Sequence, residues 1–413
     1  QEEYETFCNP QALEILRLVR ERMPDELIKI TTNGTHLTED VIRQISELKP
    51  VDVHLSLNSA NPSIRRKVMG DPNPEVAIES VKLLRKYGIR FAGSIVPWPS
   101  ITPDDIADTV RYLDEYSAVL VTILLPGYTK YHLEKRGFDV DECNKRWSEV
   151  PELARELRLS IETPILVQPT AYWMKDLITP TIDGVIRNSP AARAGLKSGD
   201  QIIEVNGTPV YTKSQAQYLL LDIGEDSKKT IKVERAEEIL QAELDGKINI
   251  SDDLYPYKPP GYGTSSLRYS YGVVMVDAFK INYIRKLKEI IEKHEAHKVL
   301  LFSSRLMRPV FIQAITVAGD YASFINNVDL RATIAEHNFW GGNIMLCDLH
   351  VVQDFIDHLH ELVREYDYRP DLIVIPSSFG NEYGIDLIGD SFLRIERIFG
   401  IPVELLPCEP IMT

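Results

Sequence analysis

Short apolar runs alternate with longer amphipathic stretches from Asn9 to about Leu125. Ile28 and Ile30, then Val51, Val53, Leu55 and Leu57, then Phe91 and Ile95, then Val119, Val121 and Ile123 fall at strand spacing. They predict four strands, near 27–31, 51–57, 89–96 and 118–125. Between them the apolar positions return every three or four residues. Ala12, Ile15, Leu16 and Val19 make a helix face behind an Asn9-Pro10 start, and a helix from Val76 to Tyr87 stops at Gly88. This alternation describes a parallel sheet wrapped by helices, and four such strands need cover and closed edges. Further chain before residue 1 is therefore expected.

The pattern changes over about 177–245. Ser189-Pro190 caps a very short helix that Gly195 ends, Asn206-Gly207 is a hairpin turn, and a helix Ser214–Leu221 precedes a strand Thr230–Val233. These elements predict a small, β-rich inserted module. Residues 246–270 are rich in Pro, Gly and Tyr, including Tyr255, Tyr257 and Tyr262, and are expected to be a linker or covering loop. From 271 the strand and helix alternation returns: strands Val273–Val276, Val299–Phe302, Leu330–Ile334, Leu372–Ile375 and Val403–Leu406, with helices between them. The expected organisation is a partial (β/α) barrel over 1–176, the module over 177–245, a linker over 246–270 and a C-terminal α/β domain over 271–413.

Composition narrows the class. A chain of 413 residues exceeds what one core supports. With 46 Lys and Arg against 61 Asp and Glu, the net charge of −15 repels phosphate backbones, so nucleic acid is not expected as a partner. No apolar run is long enough to cross a membrane and no secretion signal is visible, so the expected setting is cytoplasmic. Cys8, Cys143, Cys347 and Cys408 are too scattered for a disulfide scaffold and fit reduced thiols.

Two stretches carry chemistry. Ile30-Thr31-Thr32-Asn33-Gly34-Thr35 leaves a strand for a helix start, where parallel sheets place ligands; the alternative is a turn in which Asn33-Gly34 only supplies backbone angles. The next strand sets His54, Ser56 and Asn58 on one face, opposite Val53, Leu55 and Leu57. A polar face on a buried strand is costly unless a ligand or partner meets it.

Thr31-Thr32-Asn33-Gly34-Thr35, His54-Leu55-Ser56-Leu57-Asn58, the segment Asn61 to Gly70 and the segment Gly88 to Val96 together resemble the later half of a radical S-adenosylmethionine enzyme barrel. Residues 177–245 resemble a PDZ domain. Asn338-Phe339-Trp340-Gly341-Gly342-Asn343 with Asp390 resembles an uncharacterised domain found in some radical S-adenosylmethionine proteins that also carry a PDZ module. The resemblance implies that Thr32 and Ser56 touch the methionine part of S-adenosylmethionine, with Asn33 also among the cofactor-binding residues, and that Asn58 and Ser94 lie near its ribose or carboxylate. It directs His54 and Arg65 toward substrate or cofactor, with a structural ion pair on the following helix as the alternative for Arg65.

The same resemblance implies a [4Fe–4S] cluster held by Cys-x-x-x-Cys-x-x-Cys. None of the four cysteines has that spacing, so no cluster ligand is assigned in this chain and the cysteines are expected upstream of Gln1. Cys347 with His350 is expected to be ordinary core. The pairs Ser303-Ser304 and Ser377-Ser378 end strands where an anion could bind, without a hydrolase elbow. Phe339-Trp340-Gly341-Gly342 fits either a close backbone approach or a tight turn with an aromatic plug.

In the PDZ-like module, Ile182, Gly184 and Val185 form the candidate edge for an added peptide strand. Asp183 disfavours a free C-terminus there, which leaves an internal segment or intramolecular docking; a spacer role is the competing reading. The leading expectation is a radical S-adenosylmethionine enzyme whose 5′-deoxyadenosyl radical modifies a protein or a protein-delivered substrate, as in metalloenzyme maturation. The alternative is a cluster-free barrel remnant that binds peptides through the PDZ-like module. A hydrolase or transferase activity of the C-terminal domain rests on its serine-bearing strand ends alone.

Overall fold

A computed structural model describes residues 5–134, 139–173, 176–221, 228–245, 270–275, 279–280, 282–317 and 327–408. The chain divides into two compact units, one of Gln1–Pro126, Asp139–Thr170 and Thr179–Val276, the other of Gly127–Phe138, Ala171–Ile178 and Asp277–Thr413.

The first unit contains a five-stranded parallel sheet in sequential order: β1 (Ile28–Thr32), β2 (Val51–Ser56), β3 (Arg90–Ile95), β4 (Val121–Leu124) and β5 (Ile165–Gln168). Sequential order with helical crossovers is the open-barrel arrangement expected for the first four strands. β5 was not legible, because Ile165-Leu166-Val167 is a short run between Pro164 and Pro169. The helix before it, Val140–Leu157, was also missed, since Pro151 inside it argues against a helix. Its apolar stripe Cys143, Trp147, Val150, Ala154 and Leu157 is nonetheless buried.

One face of the sheet is a dry core. Ile30, Val53, Leu55, Phe91, Ile95, Val121 and Ile123 are at most 2% exposed, and Ile42, Ile45, Val81, Leu84, Ile106 and Val110 of the surrounding helices are wholly buried. The helix Ala12–Arg22 differs: Ile15, Leu18 and Val19 of its apolar face are exposed.

The PDZ-like part of this unit has β6 (Gly184–Val185), β7 (Gln201–Val205), β8 (Thr208–Pro209), β9 (Lys228–Arg235), β10 (Glu238–Asp245) and β11 (Val273–Val274). Ser189 accepts a hydrogen bond from the Ala192 amide to cap the helix Pro190–Arg193, and Asn206-Gly207, both at positive φ, turn β7 into β8. β11, which the sequence places with the C-terminal domain, pairs antiparallel with β6. Val273 of β11, with Tyr271 and Met275 on either side of the strand, fills the module's core with Ile182, Ile202 and Ile231. The bridge over 246–269 lies outside the described residues.

In the second unit β12 (Lys298–Phe302), β13 (Asp329–Thr333), β14 (Leu372–Pro376) and β15 (Val403–Leu406) form a parallel sheet in the order β13-β12-β14-β15. Val299, Leu301, Leu372 and Val374 join one core cluster, while Leu300, Phe302, Ile373 and Ile375 join another. Strict alternation into two cores marks a sheet covered by helices on both sides. The Phe339-Trp340-Gly341-Gly342 loop supports a close approach: the Lys130 amide donates to Trp340 O (2.8 Å), and a Cβ on Gly342 would stand 2.0 Å from Tyr128 O. Cys347 and His350 are buried, and His350 Nε2 lies 2.9 Å from Ala335 O, in keeping with a core role.

Candidate functional site

The second face of the five-stranded sheet is polar. Pairing register aligns Lys29 with Asp52 and Arg90, then Thr31 with His54 and Ala92, then Ser56 with Ser94 and Thr122. In a parallel sheet, register partners share a face, so these rows stack from the amino to the carboxyl ends of the strands. Asp52 and Arg90 are joined by an ion pair.

His54 sits between the charged row and the hydroxyl row. Burial, with the ammonium of Lys29 as a second cause, pushes its pKa below the ordinary histidine value and favours the neutral imidazole. Lys29 is itself held below its usual range by burial and by Arg90. Above them, Ser94 Oγ and Ser56 Oγ are 3.5 Å apart, at the limit of a hydrogen bond, and Thr122 Oγ1 is buried without a hydrogen-bond partner. A buried hydroxyl left unpaired in a row of hydroxyls is hydrogen-bonding capacity that a polar ligand can use.

The expected cofactor residues therefore separate. Ser56 and Ser94 share the polar face, with His54 one row below. Thr32 is aligned with Leu55, on the opposite face, and its hydroxyl donates to the Glu5 carboxylate. Asn33 N also donates to Glu5 (2.7 Å), and Asn33 Oδ1 accepts from the Thr35 amide, so this loop is held by its own chain. Gly34, at φ +84°, leaves no room for a Cβ, which would meet Leu55 at 2.7 Å.

Asn58 takes up φ +58° after β2 and serves as a clamp: its Oδ1 accepts from the Val96 amide (2.7 Å), and its own amide donates to Ser94 O. Arg65 has the partners of its structural alternative. Its guanidinium is wholly buried and donates to Asp71 (2.9 Å), Leu57 O (2.5 Å), Ser56 O (3.2 Å) and Asn33 O. Four donations to its own chain commit Arg65 to positioning the ends of β1 and β2.

Sequence reasoning missed Glu5, Thr122 and the Lys29, Asp52 and Arg90 row. Thr122 stands alone in an apolar run, and a lone polar residue in a buried strand was the available signal; Lys29 lies on the exposed side of β1, as alternating strands commonly show.

The PDZ-like edge is also revised. Ile182, Gly184 and Val185 are not a free edge: the Asp183 and Ile186 amides donate to Val274 O and Gly272 O, while the Ile182 amide donates to Asp200 O. β11 thus occupies one edge of β6. Asp183 is neutralised by Lys213, 3.0 Å away and 1% exposed.

The hydroxyl row suits the zwitterion and diol of S-adenosylmethionine, because short donors and acceptors converge where one of them is unsatisfied. A cluster does not fit the residues present. Cys8 is exposed, Cys143 and Cys347 are buried and Cys408 is half-buried, and among the described residues no group of three or more His, Cys, Asp or Glu side chains could hold a metal ion. Among the described residues, no helix is long and apolar enough to cross a membrane.

Residues 4–113 match the Radical SAM superfamily, and residues 181–235 match the PDZ domain. The FeMo cofactor biosynthesis protein NifB of Chlorobaculum tepidum is 25% identical over 134 residues, covering 29% of this chain and 31% of NifB. The chain thus matches under a third of the length of that curated relative. Among solved structures, Streptococcus suis SuiB aligns with a TM-score of 0.31 and 14% identity over 40% of this chain and 38% of SuiB. SuiB bound to S-adenosylmethionine gives 0.32 and 15% over 39% and 38%. SuiB bound to the precursor peptide SuiA gives 0.31 and 16% over 41% and 38%.

Proposed function

We propose that this chain, with its radical SAM and PDZ regions, is the S-adenosylmethionine-binding and partner-binding part of a radical enzyme acting on a protein or a protein-delivered substrate. The observation that supports this most is the Ser56, Ser94 and Thr122 row, with an unsatisfied buried hydroxyl, on the polar face of a parallel sheet. When bound, a [4Fe–4S] cluster would supply the electron for reductive cleavage of S-adenosylmethionine. Its ligands are proposed to come from outside residues 1–413.

In this reading Ser56, Ser94 and Thr122 orient the amino acid and ribose groups of S-adenosylmethionine. His54 stays neutral beneath them, and Lys29, Asp52 and Arg90 close the charged end of the same face. The likeness to NifB supports maturation of a metal cofactor as the setting. A peptide partner would add beside the outer edge of β11, next to the helix Lys213–Leu221, where Gln217 reaches Met275 O (3.3 Å).

Ser94→Leu places a branched apolar group in the middle of the row. It is expected to weaken S-adenosylmethionine binding at least about tenfold, the loss of one or two buried hydrogen bonds, and, because Ser94 is 3% exposed, to cost about 1–3 kcal/mol of stability through overpacking. Isothermal calorimetry on the folded variant checks this, and unchanged affinity would remove the row from the binding site.

A further inference from the structure

The second unit contains a cavity that the proposed chemistry does not use. The order β13-β12-β14-β15 means that the chain leaves β12 toward one edge and later returns on its other side, so β12 and β14 flank a topological switch point. Their carboxyl ends diverge there, which is where open α/β sheets hold ligands. A cavity of 90 Å³ lies at that place, lined by Ser303 and Ser304 after β12, Ser378 after β14, Asp348, and an apolar wall that includes Phe311 and Leu406.

Four observations define what this cavity would accept. Ser303 and Ser304 are 7% and 3% exposed, and Ser304 Oγ already accepts the Met307 amide (3.0 Å), which leaves the Ser303 oxygen as the strand-end acceptor for a ligand. Asp348 is hydrogen-bonded by Ser378, and burial raises its carboxyl pKa, so a donor brought to it would relieve that cost. None of the described lining residues is Lys, Arg or His, so the lining offers an incoming anion no counter-charge. The volume is below the roughly 150 Å³ that holds a benzene ring, and so suits a compact aliphatic body.

We propose that the carboxyl ends of β12 and β14 form a binding site for a small apolar molecule ending in a hydrogen-bond donor, an alcohol or amine, with Asp348 and Ser303 receiving that donor and Phe311 and Leu406 covering its body. This replaces the anion expected from the serine pairs. The site is separate from the S-adenosylmethionine reading and stands or falls without it.

The test uses the full chain labelled with 13C-methyl methionine, in which Met307 lines the cavity and is assigned with Met307→Leu. Isopropanol and isopropylamine, each of four heavy atoms, are expected to shift the Met307 methyl resonance saturably, with dissociation constants of roughly 0.1 to 10 mM for molecules of this size. Acetate, of the same size but ending in a carboxylate, is expected to bind about tenfold more weakly. Ser303→Leu fills the space and is expected to weaken the alcohol about tenfold. Asp348→Asn keeps the shape and is expected to weaken the amine about fivefold more than the alcohol, which decides the matter if Ser303→Leu fails to fold. Acetate binding as well as the amine, shifts spread over all methionines, or no saturable shift with any probe would overturn the proposal.

Discussion

Gly342→Ala is expected to destabilise the second unit by about 3 kcal/mol, seen as a fall of about 8 °C in its calorimetric transition. Two costs combine. The residue sits at φ +71°, where an L side chain costs about 1 kcal/mol relative to glycine. The added Cβ would also stand 2.0 Å from Tyr128 O and 2.7 Å from its carbonyl carbon, and both are backbone atoms that no rotamer change can move. Tyr128 is held in place because its amide donates to Asn343 Oδ1 (2.6 Å) and its carbonyl accepts from the Asn343 amide (3.0 Å). The segment around 128–130 would have to lift away, and hydrogen exchange there should accelerate. Gly400→Ala separates the costs: it has φ +65° and nothing within 4 Å, so it should lose only about 1 kcal/mol. Equal losses for the two variants would show that the close contact has no energetic weight.

Arg65→Met is expected to cost about 3–5 kcal/mol in the first unit, measured by urea unfolding. The change leaves the carboxylate of Asp71, 3% exposed, without its ion pair, and removes the donors to Asn33 O, Ser56 O and Leu57 O. Arg65→Lys should recover little, since one ammonium cannot reach three carbonyls and a carboxylate from the geometry of a planar fork. Loss of ligand binding in these variants would follow from displaced strand ends. A loss below about 1 kcal/mol would contradict the structural role and return Arg65 to the substrate side.

The contrast between Arg65 and Ser56 shows what the sequence could reveal. Strand alternation put His54 and Ser56 on a polar face, and the structure keeps them there, because a two-residue period is local information. Thr32 lies in an equally suggestive motif but shares the face of Ile28 and Ile30, as the same two-residue period dictates, while its partner Glu5, 27 positions away, was not legible. Asn58 and Arg65 look like ligand contacts and act as clamps, because which partner satisfies a buried donor is decided by tertiary contact.

The same limit explains the PDZ-like edge. Turn and cap residues at Ser189, Gly195 and Asn206-Gly207 gave the elements correctly, yet the partner of β6 arrives from β11, almost ninety residues later. Glycines behave alike: Gly341-Gly342 announced a close approach, while Tyr128 as the approaching residue was not legible from a separation of more than 200 positions.

The most direct test of the central claim is formation of 5′-deoxyadenosine from S-adenosylmethionine by the full-length protein, purified without oxygen, reconstituted with iron and sulfide, and reduced with dithionite. A radical S-adenosylmethionine enzyme should yield the nucleoside, and folded Ser94→Leu protein should lose at least about nine-tenths of it. Absence of 5′-deoxyadenosine from folded wild-type protein would contradict the claim and leave a peptide-binding scaffold in its place.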